Sequence, residues 1–137
     1  MIGYLDSSVL LRVLLNQSGA LKEFSKLEHP VSSKLLKTEC LRSLDRARLS
    51  GFLDQDEHLT SLRELHEVLA SVEWIEISDR VLDRAGEGFP VALGTLDAIH
   101  LGSALLWREF TGRNCIFLTH DSVLKSAAEA AGFSVKG

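Results

Sequence analysis

Proline, cysteine and long apolar runs are all scarce, and basic residues are outnumbered. With two prolines in 137 residues and no repeat, low-complexity tract or linker, the sequence reads as a single domain over residues 1–137. That length supports a substantial core and is too short for two ordinary domains. The two cysteines, Cys40 and Cys115, stand far apart in apolar surroundings. They lack the spacing of a zinc site or a redox pair and read as buried free thiols. No apolar run approaches the roughly 20 residues of a membrane span, and no basic, apolar, small-residue leader opens the sequence. A soluble, cytoplasmic protein with no membrane partner is therefore expected. A Walker lysine loop and a Gly-rich nucleotide fingerprint are both missing, which removes the commonest phosphate sites. The formal net charge of −4 argues against holding nucleic acid by bulk positive charge. A cluster of carboxylates that binds divalent cations remains compatible with it, because bound metal restores positive potential locally.

What is present is an alternation of short apolar strands and amphipathic helices. Ile2-Gly3-Tyr4-Leu5 reads as a strand stopping at Asp6, with a helix over residues 9–15 behind it. A second amphipathic helix is expected over Ser18–Leu27, ended by His29-Pro30, and a short strand over Pro30–Ser33. From Lys34 to Leu49 a helix places Leu36, Cys40, Leu44 and Ala47 on one stripe, and Gly51 ends it. Another helix is expected over Asp56–Ala70, with Leu59, Leu62, Leu65, Val68 and Leu69 apolar; Asp54, Asp56 and Glu57 complement the dipole at its start. Residues 72–77 alternate like a strand, and Ser78 caps a short helix through Ala85. Thr95 is read as the N-cap of a helix over Leu96–Phe110 that is apolar nearly all round and therefore buried. Cys115–Thr119 is a compact strand, Ser122–Ala131 a helix closed by Gly132, and Phe133–Val135 an edge strand. The alternation predicts an α/β/α sandwich with a mostly parallel sheet of four or five strands.

Four acids fall at informative places on this scaffold. Asp6 and Asp121 each follow a strand and precede a helix, where open parallel sheets place ligands. They share one edge if the first and fourth strands are neighbours. Asp97 lies in the first turn of the buried helix. Glu39 is inside a helix but, at about 100° per residue, borders its apolar stripe and faces the margin of the core. Crowded carboxylates raise one another's pKa unless a cation neutralises them. Hard divalent ions with oxygen ligands are the natural solution, and they support in-line hydrolysis of a phosphodiester.

The segments Tyr4-Leu5-Asp6-Ser7-Ser8, Thr38-Glu39-Cys40-Leu41-Arg42, Thr95-Leu96-Asp97-Ala98-Ile99-His100-Leu101 and Leu118-Thr119-His120-Asp121 resemble those of PIN-domain ribonucleases. The resemblance is to the VapC-type toxins of bacterial toxin–antitoxin pairs in particular. The order and spacing match over essentially the whole chain. The resemblance implies that Asp6, Glu39, Asp97 and Asp121 bind Mg²⁺ or Mn²⁺, Asp6 and Asp97 centrally and the other two directly or through water. It also implies supporting roles for Ser7 and Thr119, hydrolysis of RNA to 5′-phosphate and 3′-hydroxyl ends, a cognate antitoxin and a homodimer.

Lys34, Lys37, Arg42, Arg46 and Arg48 outnumber Glu39 and Asp45 within fifteen residues, so Arg42 and Arg46 are candidates for RNA contact beside the acids. An ordinary solvated helix face with local ion pairs is the alternative. His100 and His120 lie nearest the motif acids and read as packed or capping imidazoles, since the chemistry needs no histidine base. Trp74 and Trp107 read as core. Two rival functions remain at this level: a non-catalytic PIN-like module that binds RNA or protein, and a receiver-like domain using a strand-end Asp as phosphoacceptor. Glu39 has no use in the second.

Overall fold

A computed structural model describes residues 1–137 and places the first strand, β1 (Ile2–Leu5), at the centre of a five-stranded sheet. β1 is flanked on one side by β2 (His29–Ser33) and then β3 (Glu73–Ile75), and on the other by β4 (Ile116–Leu118) and then β5 (Ser134–Lys136). Every pairing is parallel. The chain builds outward from β1 in one direction, then returns to build outward in the other. The order 3-2-1-4-5 therefore has its switch point between β1 and β4, the place where open α/β sheets hold ligands.

Side chains on a strand alternate between faces, and β1 uses both. Leu5 and Leu118 turn to the face covered by α1 (Ser7–Leu14), α2 (Leu35–Leu49) and α3 (Gln55–Leu69), joining Val9, Leu10, Leu36, Cys40, Leu44 and Leu65 in one cluster. Tyr4 and Phe117 turn to the other face, covered by α5 (Thr95–Thr111) and α6 (Ser122–Ala130), against Leu101, Leu105, Trp107 and Leu124. The two rings stack with centroids 4.9 Å apart. Each fully buried Leu or Phe contributes about 1.5–3 kcal/mol relative to exposure. Because the period is two, Asp6 follows Tyr4 onto the α5 face.

α5 is the most enclosed element, with residues 98–107 all buried, as its nearly uniform apolar sequence requires. The short helix α4 (Asp79–Ala85) packs on it through Val81, Ile99 and Leu106. That packing depends on Gly102, where a Cβ would stand 3.2 Å from the Ala85 nitrogen and 3.4 Å from the Val81 carbonyl oxygen. Near the amino ends of β2 and β3, Glu73 accepts from the Trp107 indole at 2.7 Å and pairs with His29 Nε2 at 2.5 Å. Trp107 is thus core with its one donor satisfied.

Most expected elements form, within one to three residues at their ends. Asp54 caps α3 in a reciprocal box with Glu57, Ser78 caps α4, and Gly51 and Gly132 take the left-handed conformation just past their helices. The helix expected over Ser18–Leu27 does not form. Gly19 adopts φ +76°, which ends regular helix, and only Lys22–Lys26 coils, as 3₁₀ turns. Thr95 is the first helical residue and not the cap; Gly94, in extended conformation, precedes it without a side-chain bond. Leu59, expected on the apolar stripe of α3, is about half exposed. Both cysteines are free and buried, and burial pushes the Cys40 thiol up to about 12 and that of Cys115 up to about 11.

Gly102→Leu should force α4 off α5 and cost about 1–3 kcal/mol, the usual range for overpacking. Urea unfolding followed by circular dichroism measures it, and an unchanged midpoint would contradict the close-approach argument.

Candidate active site

The site begins with the backbone. The Asp6 amide donates to the Leu118 carbonyl at 3.0 Å, extending the β1–β4 ladder one step and fixing where the Asp6 carboxylate emerges. That carboxylate is buried, with 4% of the residue exposed. Oδ2 accepts from the Ser8 hydroxyl at 2.5 Å and from the Thr119 hydroxyl at 2.8 Å. Two donors on one oxygen fix the side chain and leave Oδ1 facing His100 Nε2, 3.9 Å away. The same hydroxyls reach the other strand end: Ser8 Oγ accepts from the His120 amide at 2.9 Å, and Thr119 Oγ1 accepts from the Asp121 amide at 3.0 Å. Asp121 in turn caps α6, its Oδ1 accepting from the Leu124 amide at 2.8 Å.

Glu39 reaches the corner from α2. Its neighbours Leu36 and Cys40 are fully buried, which holds its side chain at the core margin, about one-fifth exposed. Glu39 Oε1 lies 2.5 Å from His100 Nε2. Asp97 enters from the first turn of α5, where the positive end of the helix dipole favours an anion. Even so, its carboxyl is pushed up to about 6, first by desolvation and then by the charges of Asp121 and Asp6, with a smaller push from Glu39; His100 opposes the rise. All four acids therefore share one electrostatic neighbourhood.

Thr119 is bonded to Asp6 directly, whereas Ser7 is not; the hydroxyl on Asp6 is that of Ser8. Ser7 instead lines an open cleft of about 530 Å³ with Thr38, Glu39, Arg42, Ser43 and Arg46. Arg42 and Arg48 are both held by Asp45, at 3.0 and 2.8 Å. Arg46 reaches only the Ser43 hydroxyl, at 3.3 Å, and keeps its charge unpaired. His120 Nε2 is buried without a partner, and desolvation together with Arg12 holds its imidazole below the usual histidine range. Ser8, Tyr4 and His100 are the residues whose contacts the sequence reading passed over. Locally the sequence shows only that Tyr4 shares a strand face with Asp6 and that His100 stands at i+3 from Asp97, not what either touches.

No three His, Cys, Asp or Glu side chains are gathered closely enough to enclose an ion as they stand. The donor chemistry nevertheless fits a hard divalent cation. The donors are carboxylate oxygens, one of them held by two hydroxyls with its second oxygen free, and one carboxyl made reluctant to ionise by burial and then by its neighbours' charge.

Comparison with known proteins bears on the family and the fold. The family model for the PIN domain matches residues 3–130. Ribonuclease VapC46 of Mycobacterium tuberculosis is 35% identical over 135 residues, covering 96% of this chain and 94% of that one. The solved structure of VapBC2 from Rickettsia felis, bound to a DNA fragment from their promoter, aligns with a TM-score of 0.65 at 13% identity. That alignment covers 99% of this chain and 98% of the other. At such identity the likeness is one of fold.

Because Asp97 holds its proton in the folded chain up to about pH 6 and releases it near 4 when unfolded, metal-free stability should fall as pH rises between those values. Asp97→Asn removes this loss. In EDTA the variant should gain about 1–2 kcal/mol above pH 6, allowing for solvent screening, and nothing below pH 4. Thermal unfolding across pH 4–8 measures it; a gain independent of pH would contradict the charge-crowding account.

Proposed function

This chain belongs to the PIN domain family, and from that premise we propose that it is a divalent-metal-dependent endoribonuclease acting as the toxin of a toxin–antitoxin pair. The observation that carries the reading is geometric: Thr119 links Asp6 to Asp121, His100 faces both Asp6 and Glu39, and Asp97 stands one turn before His100 on α5.

Asp6 and Asp97 would hold Mg²⁺ or Mn²⁺, with Glu39 and Asp121 completing the set directly or through water. A bound divalent cation supplies positive charge at the corner, activation of water and stabilisation of charge developing on the phosphate. The chain's own residues do the rest. Thr119 and Ser8 hold Asp6 Oδ2 so that Oδ1 points into the corner. The burial of Asp6 and Thr119 keeps bulk water from competing for those bonds. Arg46, which has no acid partner and lines the cleft beside Glu39, would meet a phosphate of the RNA. Arg42 must first give up Asp45.

A cognate antitoxin is supported by the VapBC2 complex to which the fold is similar. Leu41, Leu49 and Phe52, exposed on or just beyond α2, are apolar surface that the antitoxin or a second copy in a homodimer would cover.

Purified protein should cut RNA at defined sites with Mg²⁺ or Mn²⁺, leaving 5′-phosphate and 3′-hydroxyl ends. Cleavage should disappear with EDTA and fall at least a hundredfold in Asp6→Asn, whose amide oxygen still accepts from Ser8 and Thr119. Cutting that survives both would refute the reading. A folded protein silent with every metal would favour a binding module. Arg46→Ala should weaken RNA binding and lower the slope of log affinity against log salt by about one, while Arg42→Ala should change the slope less. Filter binding between 50 and 300 mM salt tests both, and equal slopes for wild type and Arg46→Ala would remove Arg46 from the interface.

A further inference from the structure

One fully buried imidazole lies between two of the proposed ligands. His100 has no solvent exposure, with Nε2 2.5 Å from Glu39 Oε1 and 3.9 Å from Asp6 Oδ1. Its other nitrogen, Nδ1, is 2.8 Å from the Tyr4 hydroxyl. The Tyr4 oxygen already accepts from the Ser33 amide at 3.2 Å, so its own hydrogen is free to go to Nδ1. Burial drives the phenol well above its ordinary range, which keeps that hydrogen in place. With Nδ1 accepting, the ring proton resides on Nε2, and Nε2–H donates to Glu39. In that tautomer the relay runs from the Ser33 amide to Tyr4, to His100, to Glu39.

We propose that Tyr4 and His100 are positioning residues for Glu39: the relay engages Oε1 and leaves Oε2 as the oxygen Glu39 presents to the cation. The proposal rests on the reading of Glu39 as a metal ligand. Three features make the relay a device for holding that carboxylate. Tyr4 is locked by stacking on Phe117 and by an edge contact to the imidazole, with ring centroids 4.9 and 5.8 Å away. His100 comes from the same helix as Asp97, one turn on, so α5 positions one ligand directly and another through the imidazole. Nε2 also lies within 4 Å of a carboxylate oxygen of Asp6 as well as of Glu39, so one imidazole faces both. Hydrogen-bonded support of this kind typically changes metal affinity 10–100-fold when removed.

The test uses the full chain in two measurements. Long-range proton–nitrogen NMR of the ¹⁵N-labelled wild type in EDTA, with His100→Gln to assign the signals, reads the imidazole nitrogens. The relay requires a protonated Nε2 and a bare Nδ1 on His100. A proton on Nδ1, alone or alongside one on Nε2, overturns the donor role of Tyr4 and with it the proposal. Calorimetric titration with Mn²⁺ then compares variants. His100→Leu should bind Mn²⁺ 10–100-fold more weakly than wild type, and His100→Gln, whose longer amide can still donate to Glu39, should recover most of the loss. Should His100→Leu fail to fold, His100→Asn, too short to reach Glu39, replaces it. Binding by the Leu or Asn variant as tight as wild type overturns the proposal, and so does a Gln variant no better than they are. A folded wild type that binds no Mn²⁺ overturns the metal-dependent reading instead, and the nitrogen signals still decide the relay.

Discussion

The holding of four carboxylates, partly withdrawn from water, at the carboxyl edge of β1 and β4 is the constraint on which this structure turns. Asp6 and Asp121 are brought together because β1 and β4 are adjacent at the sheet's switch point. Asp97 and Glu39 arrive from helices on opposite sides of the sheet. No Lys or Arg pairs with any of the four; what the fold supplies is restraint. Two hydroxyls hold Asp6, a helix amide holds Asp121 and one imidazole holds Glu39. Asp97 is left with the raised carboxyl. A site so arranged is strained toward accepting a cation, the usual relation between function and unrelieved electrostatic cost.

The parallel sheet and the positions of the acids on their elements were legible because they rest on simple periodicities, whereas the strand order was not. Strand–helix alternation indicated parallel pairing, a stripe of Leu36, Cys40 and Leu44 placed Glu39 at the core margin, and Asp6 and Asp121 each closed a strand. The helix expected over Ser18–Leu27 failed because its apolar spacing said nothing of Gly19, whose left-handed backbone breaks the segment. Thr95 was misplaced by one residue because a Gly in extended conformation starts a helix as well as a hydroxyl that accepts no bond. Ser7 and Ser8 are adjacent in sequence, and only the rotation of α1 decides that Ser8 meets Asp6 while Ser7 faces the cleft.

Long-range polar contacts were the least legible. The link between Tyr4 and His100 spans 96 positions, and that between His100 and Glu39 spans 61. No local pattern announces such a pair; each residue alone reads as core. The basic face of α2 was likewise legible as composition but not as pairing. Asp45 neutralises Arg42 and Arg48 together and leaves Arg46 apart. Of the two arginines singled out by charge count, the geometry therefore leaves Arg46 as the one without an acid partner.

The most direct test of the account is where a metal goes. Crystals soaked in Mn²⁺ and measured at the manganese absorption edge should give an anomalous peak between the Asp6 and Asp97 carboxylates, with Glu39 or Asp121 bound directly or through water. A peak held by other residues, or none at that corner with all four acids well ordered, would contradict the central claim that these carboxylates are gathered to hold a divalent cation.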